Sequence, residues 1–137
     1  MTESLAERLT REHRELDELF GRFLAAVSRG QTGDAAAAIE AFDRELRVHT
    51  ELEEERLYPP LPSPQKLAAP VEEEEEARRF RELRLEHVQV RELSGMIRRL
   101  LTEEKNLDAA RALQGNLARR WDAHTTREET EAFGSGA

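Results

Sequence analysis

Histidine and glutamate stand in this chain where its helical periodicity calls for Leu and Phe. In "FDRELRVHTELEEERLYPP", Phe42, Leu46, His49, Glu53 and Leu57 follow at steps of four, three, four and four. That is the rhythm of one buried helical face. A first stripe runs Leu5, Leu9, His13, Leu16, Phe20, Phe23 and Val27. A third runs Phe80, Leu83, His87, Val90, Ser94, Ile97 and Leu101, and a fourth Leu107, Ala110, Leu113, Leu117, Trp121, His124, Glu128 and Ala132. A fold that buries these stripes buries polar groups with them, and such groups need partners.

The stripes predict four helices and no strands, since no segment alternates with period two. Ser4 with Glu7 makes a capping box at the first start. "RGQTGD" breaks that helix, and Asp34 is placed to cap the second. Pro59, Pro60, Pro62 and Pro64 stop the second helix. The third is expected from about Glu72, its "VEEEEEARR" a solvated first turn whose acids complement the helix dipole. Asn106 is the expected cap of the fourth, and "FGSGA" reads as a frayed tail. The expected architecture is all-α, an antiparallel up-down-up-down four-helix bundle. It forms a single domain over 1–137, with hairpins at about 4–58 and 72–133 joined by a Pro-rich link.

Simple arithmetic then places the histidines. In an antiparallel hairpin, residues equidistant from the loop lie at one height. His13 and His49 are centred inside "RGQTGD", and His87 and His124 at the Lys105–Asn106 junction. Both pairs lie about 18 residues from their loops, roughly 27 Å at 1.5 Å per residue. In this topology both loops share one end, so all four converge on one layer. Glu53 and Glu128 lie four residues after His49 and His124, close enough around the helix to reach the same centre.

A lone histidine on an apolar stripe is ordinarily a satisfied core residue. Here the chain's 4 histidines all fall on stripes and at matching heights. With about a third of helical positions facing the core, the stripe placement alone has a chance of about one in a hundred. Two carboxylates buried without partners would cost several kcal/mol, a cost a bound cation removes. The candidate metal ligands are therefore His13, His49, Glu53, His87, His124 and Glu128. With no cysteine in the chain, thiolate sites are excluded. Imidazole and carboxylate suit iron, manganese or zinc. Six side chains exceed one tetrahedral zinc. Shared between two ions, they give each two histidines, with both glutamates able to bridge and room for an oxo or hydroxo bridge.

The motifs "REHRELDEL", "HTELEEERLYPPL", "RLEHVQVREL" and "HTTREE" resemble the hemerythrin-like, HHE cation-binding family over residues from about 5 to 133. The resemblance implies a bundle of hemerythrin type holding a non-heme di-iron centre that binds O2, NO or peroxide, or senses iron or oxygen. Oxygen carriers of the family have a further histidine four residues from the third-helix ligand; here those positions are Leu83 and Arg91. The set of four histidines and two glutamates looks more like di-iron proteins of oxidative and nitrosative stress response. The expected chemistry is reaction with, or sensing of, a small ligand. The alternatives are an iron-binding module without catalysis, or a reversible oxygen binder.

Other features set limits. A net charge of -8 argues against nucleic acid as a partner. No apolar run approaches the length of a membrane span, and "MTESLAERLTREH" lacks the pattern of a secretory signal, so a cytoplasmic location is expected. Serines stand in no nucleophile-elbow context. Glu86 points about 100° off the ligand direction of His87. Asp17 is an outer-sphere candidate near His13, while Tyr58 and Trp121 read as packing residues, Trp121 shielding the site. No protein partner or oligomeric state is legible.

Overall fold

The computed structural model describes residues 2–59 and 75–133. Four helices account for almost all of them: α1 (Leu5–Ser28), α2 (Thr32–Arg56), α3 (Glu75–Thr102) and α4 (Leu107–Glu131). There is no strand among the described residues. Each helix packs on its chain neighbours, and α4 returns to α1, closing an antiparallel four-helix bundle. None of these helices is long and apolar enough to cross a membrane.

The helix ends follow local chemistry. Ser4 Oγ accepts from the Glu7 amide at 3.1 Å, and the Glu7 carboxylate accepts from the Ser4 amide at 3.2 Å, completing the capping box. α1 closes in a Schellman motif, with Gln31 N bonded to Ala26 O, Gly30 N to Val27 O, and Gly30 at φ 70°. Asn106 caps α4 by accepting from the Ala109 amide at 3.0 Å. Asp34 does not cap α2. The tight Schellman turn lets α2 begin at Thr32, so Asp34 falls within the first turn and complements the helix dipole instead. The expected start of α3 near Glu72 and nearly all of the Pro-rich link lie outside the described residues.

All four stripes face inward, and two apolar clusters form. The larger lies toward the two hairpin loops and includes Phe20, Phe23, Ile39, Phe42, Ile97, Leu117 and Trp121. The smaller lies at the opposite end and holds Leu9, Tyr58, Phe80, Leu83, Ala132 and Phe133. Between them comes the polar layer. His13, His49, Glu53, His87, His124 and Glu128 are all buried, both glutamates completely.

Two details of the expected stripes change at the helix ends. Leu57 is only half-buried, and the next residue, Tyr58, takes the inward position. The cause is a widened last turn: the Tyr58 amide bonds back five residues to Glu53 O at 2.8 Å. That rotates the chain by most of one residue step. The end of α4 repeats it, with the Phe133 amide bonded to Glu128 O at 2.8 Å. Phe133 is therefore a core residue and not part of a frayed tail; residues 134–137 lie outside the described residues.

Candidate metal centre

Each helix delivers its ligand candidates on one face. An i, i+4 pair on α2 presents His49 and Glu53, and a matching pair on α4 presents His124 and Glu128, while α1 and α3 contribute His13 and His87. The imidazoles form two like pairs. His13 and His49 have ring centroids 4.7 Å apart at 61°, and His87 and His124 are 4.7 Å apart at 69°. The two carboxylates lie between the pairs.

Glu53 reaches both ways. Its Oε2 lies 3.2 Å from His49 Nε2 and 3.7 Å from His13 Nε2, while its Oε1 is 3.0 Å from His87 Nε2. Glu128 Oε1 is 3.1 Å from the Nε2 of both His13 and His124, and its Oε2 is 3.4 Å from His87 Nε2. Two donor sets result, His13, His49, Glu53 and Glu128, and Glu53, His87, His124 and Glu128. Within each, one ligand atom per residue lies within 4.8 Å of all the others. The two glutamates are common to both.

His13 Nε2 is hydrogen-bonded to Glu128 Oε1 at 3.1 Å, but other inward-facing atoms of the layer are close without being bonded. His49 Nε2, His124 Nε2 and both oxygens of Glu53 have no hydrogen-bond partner among the described residues, although they are fully buried. Orphaned buried atoms of this kind are costly unless something else satisfies them. Two cations would do so, one in each set, and the donor chemistry of imidazole with carboxylate suits them.

The outward nitrogens are held by a second group of carboxylates. His49 Nδ1 donates to Glu12 at 2.7 Å, His87 Nδ1 to Glu54 at 3.0 Å, and His124 Nδ1 to Glu86 at 2.7 Å. His13 Nδ1 faces Glu129 at 3.6 Å, beyond hydrogen-bond reach. Each carboxylate sits one residue from a ligand candidate on its own helix and serves the histidine of the next helix round the bundle. Fixing Nδ1 as the donor leaves Nε2 with its lone pair inward, the tautomer a metal ligand needs. Arg8 backs Glu12 at 3.1 Å, and Arg127 backs Glu86 at 2.8 Å. Glu86, off the ligand direction of its own helix, is thus aimed at its neighbour. Arg91, four residues after His87, lies 3.8 Å from Glu54.

Charge in this layer is strongly coupled. Burial opposes a charged His13, but its contacts with Glu128 and Glu53 outweigh that and lift its pKa from the ordinary 6.5 to about 10. His49, His87 and His124 shift up for the same reasons. Burial and the Glu128 charge push Glu53 up, and the surrounding imidazoles overcome both to hold it below the usual carboxylate range. Glu128 is held well below that range against its own burial by His124, His13 and His87. In the absence of a cation, protons would take its place on the imidazoles.

Aromatic side chains seal the layer. Trp121 meets His13 edge-on at 5.5 Å and Phe42 at 5.7 Å, its indole N–H fixed by Asp17 at 2.7 Å. Asp17 therefore acts through Trp121 and makes no contact with a histidine. Tyr58 does more than pack. Its ring stacks on His87 at 5.2 Å, and its hydroxyl lies 3.1 Å from His87 Nε2 and donates to Glu128 Oε2. With no cation present, burial and the nearby Glu128 and Glu53 charges push its pKa up, and the phenol is a donor. Sequence reasoning missed Tyr58 as a site residue, along with Glu12, Glu54 and Glu129. One signal was available: each of these three glutamates adjoins a candidate ligand.

No curated protein and no solved structure matches this chain. The hemerythrin HHE cation binding domain matches residues 4–134, nearly the whole length, which agrees with the bundle and its buried His/Glu layer. The chain belongs to the hemerythrin HHE cation-binding family.

Proposed function

We propose that the protein holds a pair of iron ions through His13, His49, Glu53, His87, His124 and Glu128, and uses the pair to react with or sense O2, NO or peroxide. The observation that carries this reading is the sharing of Glu53 and Glu128 between two four-residue donor sets. Manganese or zinc would fit the same donor types. Bound iron supplies a change of oxidation state and an open position for a small ligand. The chain's residues do the rest. Glu12, Glu54 and Glu86 keep three imidazoles in the ligating tautomer, Glu53 and Glu128 balance cationic charge, and Trp121, Phe42 and Phe133 exclude bulk water.

The surroundings favour a very small ligand. A cleft of about 40 Å³ between α1 and α2 is lined by Glu12, Glu15, Leu16, Glu45, Val48 and His49. It has room for only a few water-sized molecules. A role in oxidative or nitrosative stress response fits such ligands.

The deciding experiment is to purify the protein from iron-replete cells without chelators, then measure metal per chain and the visible spectrum. About two irons per chain with the bands of a coupled ferric pair would support the reading. A clean apo-protein that refuses iron on reconstitution would overturn it. NO and peroxide are then added to the reduced form. Turnover or spectral reaction supports the reactive role, while binding without reaction points to an iron-sensing module. Stoichiometric O2 uptake and intact release under vacuum would make it a reversible oxygen binder instead.

A further inference from the structure

The two halves of the bundle are near copies, and the places where they differ are informative. Glu53 and Glu128 correspond, each followed by an outer glutamate, Glu54 or Glu129, and each closing a widened turn onto the residue five positions later. Those residues are Tyr58 and Phe133. Each ring lies against the histidine of the helix that starts the other hairpin: Tyr58 on His87 at 5.2 Å, Phe133 on His13 at 5.1 Å. The two positions are equivalent in backbone, burial and neighbour. They differ by one oxygen.

That oxygen is aimed at a donor set. Tyr58 Oη lies 3.1 Å from His87 Nε2 and bonds Glu128 Oε2, two inward-facing atoms of the His87/His124 set. It occupies the same layer as the other ligand atoms and sits within hydrogen-bond distance of two of them. Phenolate oxygen is a known kind of iron ligand. Phe133, its counterpart beside His13, has nothing to offer a cation.

We propose that Tyr58 is a seventh protein ligand, binding the cation on the His87/His124 side, so that the small exogenous ligand goes to the His13/His49 side beneath Phe133. This rests on the two-cation reading above. As the phenolic oxygen binds, its O–H bond breaks and the proton leaves to water, with no change of oxidation state. The departure noted at Leu83 and Arg91 is then made good from a different helix end. The centre becomes asymmetric, with one ion given an extra donor and the other left open.

The chain has a single tyrosine, so ring-deuterated tyrosine labels Tyr58 alone. The test is to reconstitute the full chain with iron, oxidise it, and record visible absorption and resonance Raman spectra with labelled and unlabelled tyrosine. A phenolate-to-iron band whose Raman modes shift with the label is expected, and Tyr58→Phe should lose the band while keeping its iron and helicity. Phe133→Tyr should add a second phenolate signature and abolish azide binding to the ferric protein. An iron pair in the wild type with no label-sensitive phenolate modes would overturn the proposal and leave the di-iron reading standing. Failure to bind iron at all would instead overturn both. Unchanged azide binding in Phe133→Tyr, with no added signature, would overturn the assignment of the open side.

Discussion

His49 on α2 donates its outward Nδ1 hydrogen to Glu12 on α1 at 2.7 Å, and Glu12 adjoins His13, which faces the same centre from the other side. One carboxylate therefore orients the neighbouring helix's candidate ligand while its own helix supplies another candidate. The Glu12 carboxyl is held below its usual range by that hydrogen bond, against partial burial.

Glu12→Gln is expected to weaken metal retention by about tenfold or more, since partners of this kind typically contribute 10–100-fold. Competition against a chelator of known affinity measures it. Glu129→Gln provides the comparison: this carboxylate is half-exposed and 3.6 Å from His13 Nδ1, so its loss should change retention much less. Equal effects at the two positions would contradict the assignment.

Glu53→Gln removes the carboxylate that faces three imidazoles. On the two-ion reading proposed above, metal content should fall from two ions per chain to at most one. The metal-free protein should also lose about 3 kcal/mol, the usual penalty for breaking a buried charge pair. Metal analysis and denaturant melts read the two effects separately. A variant still holding a full pair of ions would contradict a role for Glu53 in both donor sets.

Stability should depend on pH in opposite senses with and without metal. The His13 pKa is raised in the folded chain to about 10 from 6.5, so its stabilising charge is fully present below about pH 6.5. That contribution is lost as pH rises through about 10. Metal-free protein is therefore expected to melt at lower temperature as pH climbs across this window. Cations compete with the same protons, so iron-loaded protein should hold its metal more tightly over the same climb. Melting both forms across the window checks the sign; a metal-free form that gains stability with rising pH would refute it.

Lys105 lies in the α3–α4 turn at φ 50°, a left-handed conformation that favours glycine. Lys105→Gly should stabilise the fold by about 0.5–1 kcal/mol. Gly30, at φ 70° in the α1–α2 turn, already has the favoured residue, and Gly30→Ala should cost a similar amount. Urea melts of the two variants should move in opposite directions.

Much of this was legible from periodicity. Steps of three and four placed His13, His49, Glu53, His87, His124 and Glu128 on inward faces, and hairpin arithmetic set them at one height. Periodicity failed where the helix stopped being regular. The five-residue bonds to Glu53 O and Glu128 O turn Tyr58 and Phe133 inward, a phase slip no regular pattern contains. The outer carboxylates were hidden for another reason. Among 29 acidic residues, Glu12, Glu54, Glu86 and Glu129 are marked only by standing next to a candidate ligand, and the histidine each one faces appears only when the neighbouring helix is in place. A side chain one position from an inward one points about 100° away, which in a four-helix ring is toward the next helix.

The outer glutamates run once around the bundle: α1 serves α2, α2 serves α3, α3 serves α4, and α4 turns back toward α1. Pulling any one helix outward therefore withdraws a candidate ligand from the centre and a carboxylate from the next histidine in the same movement. Damage spreads sideways, and partial detachment gains little. The circuit has one loose link, at His13 and Glu129. If the centre opens to take in or release a metal, that corner between the first and last helices is where it gives way first.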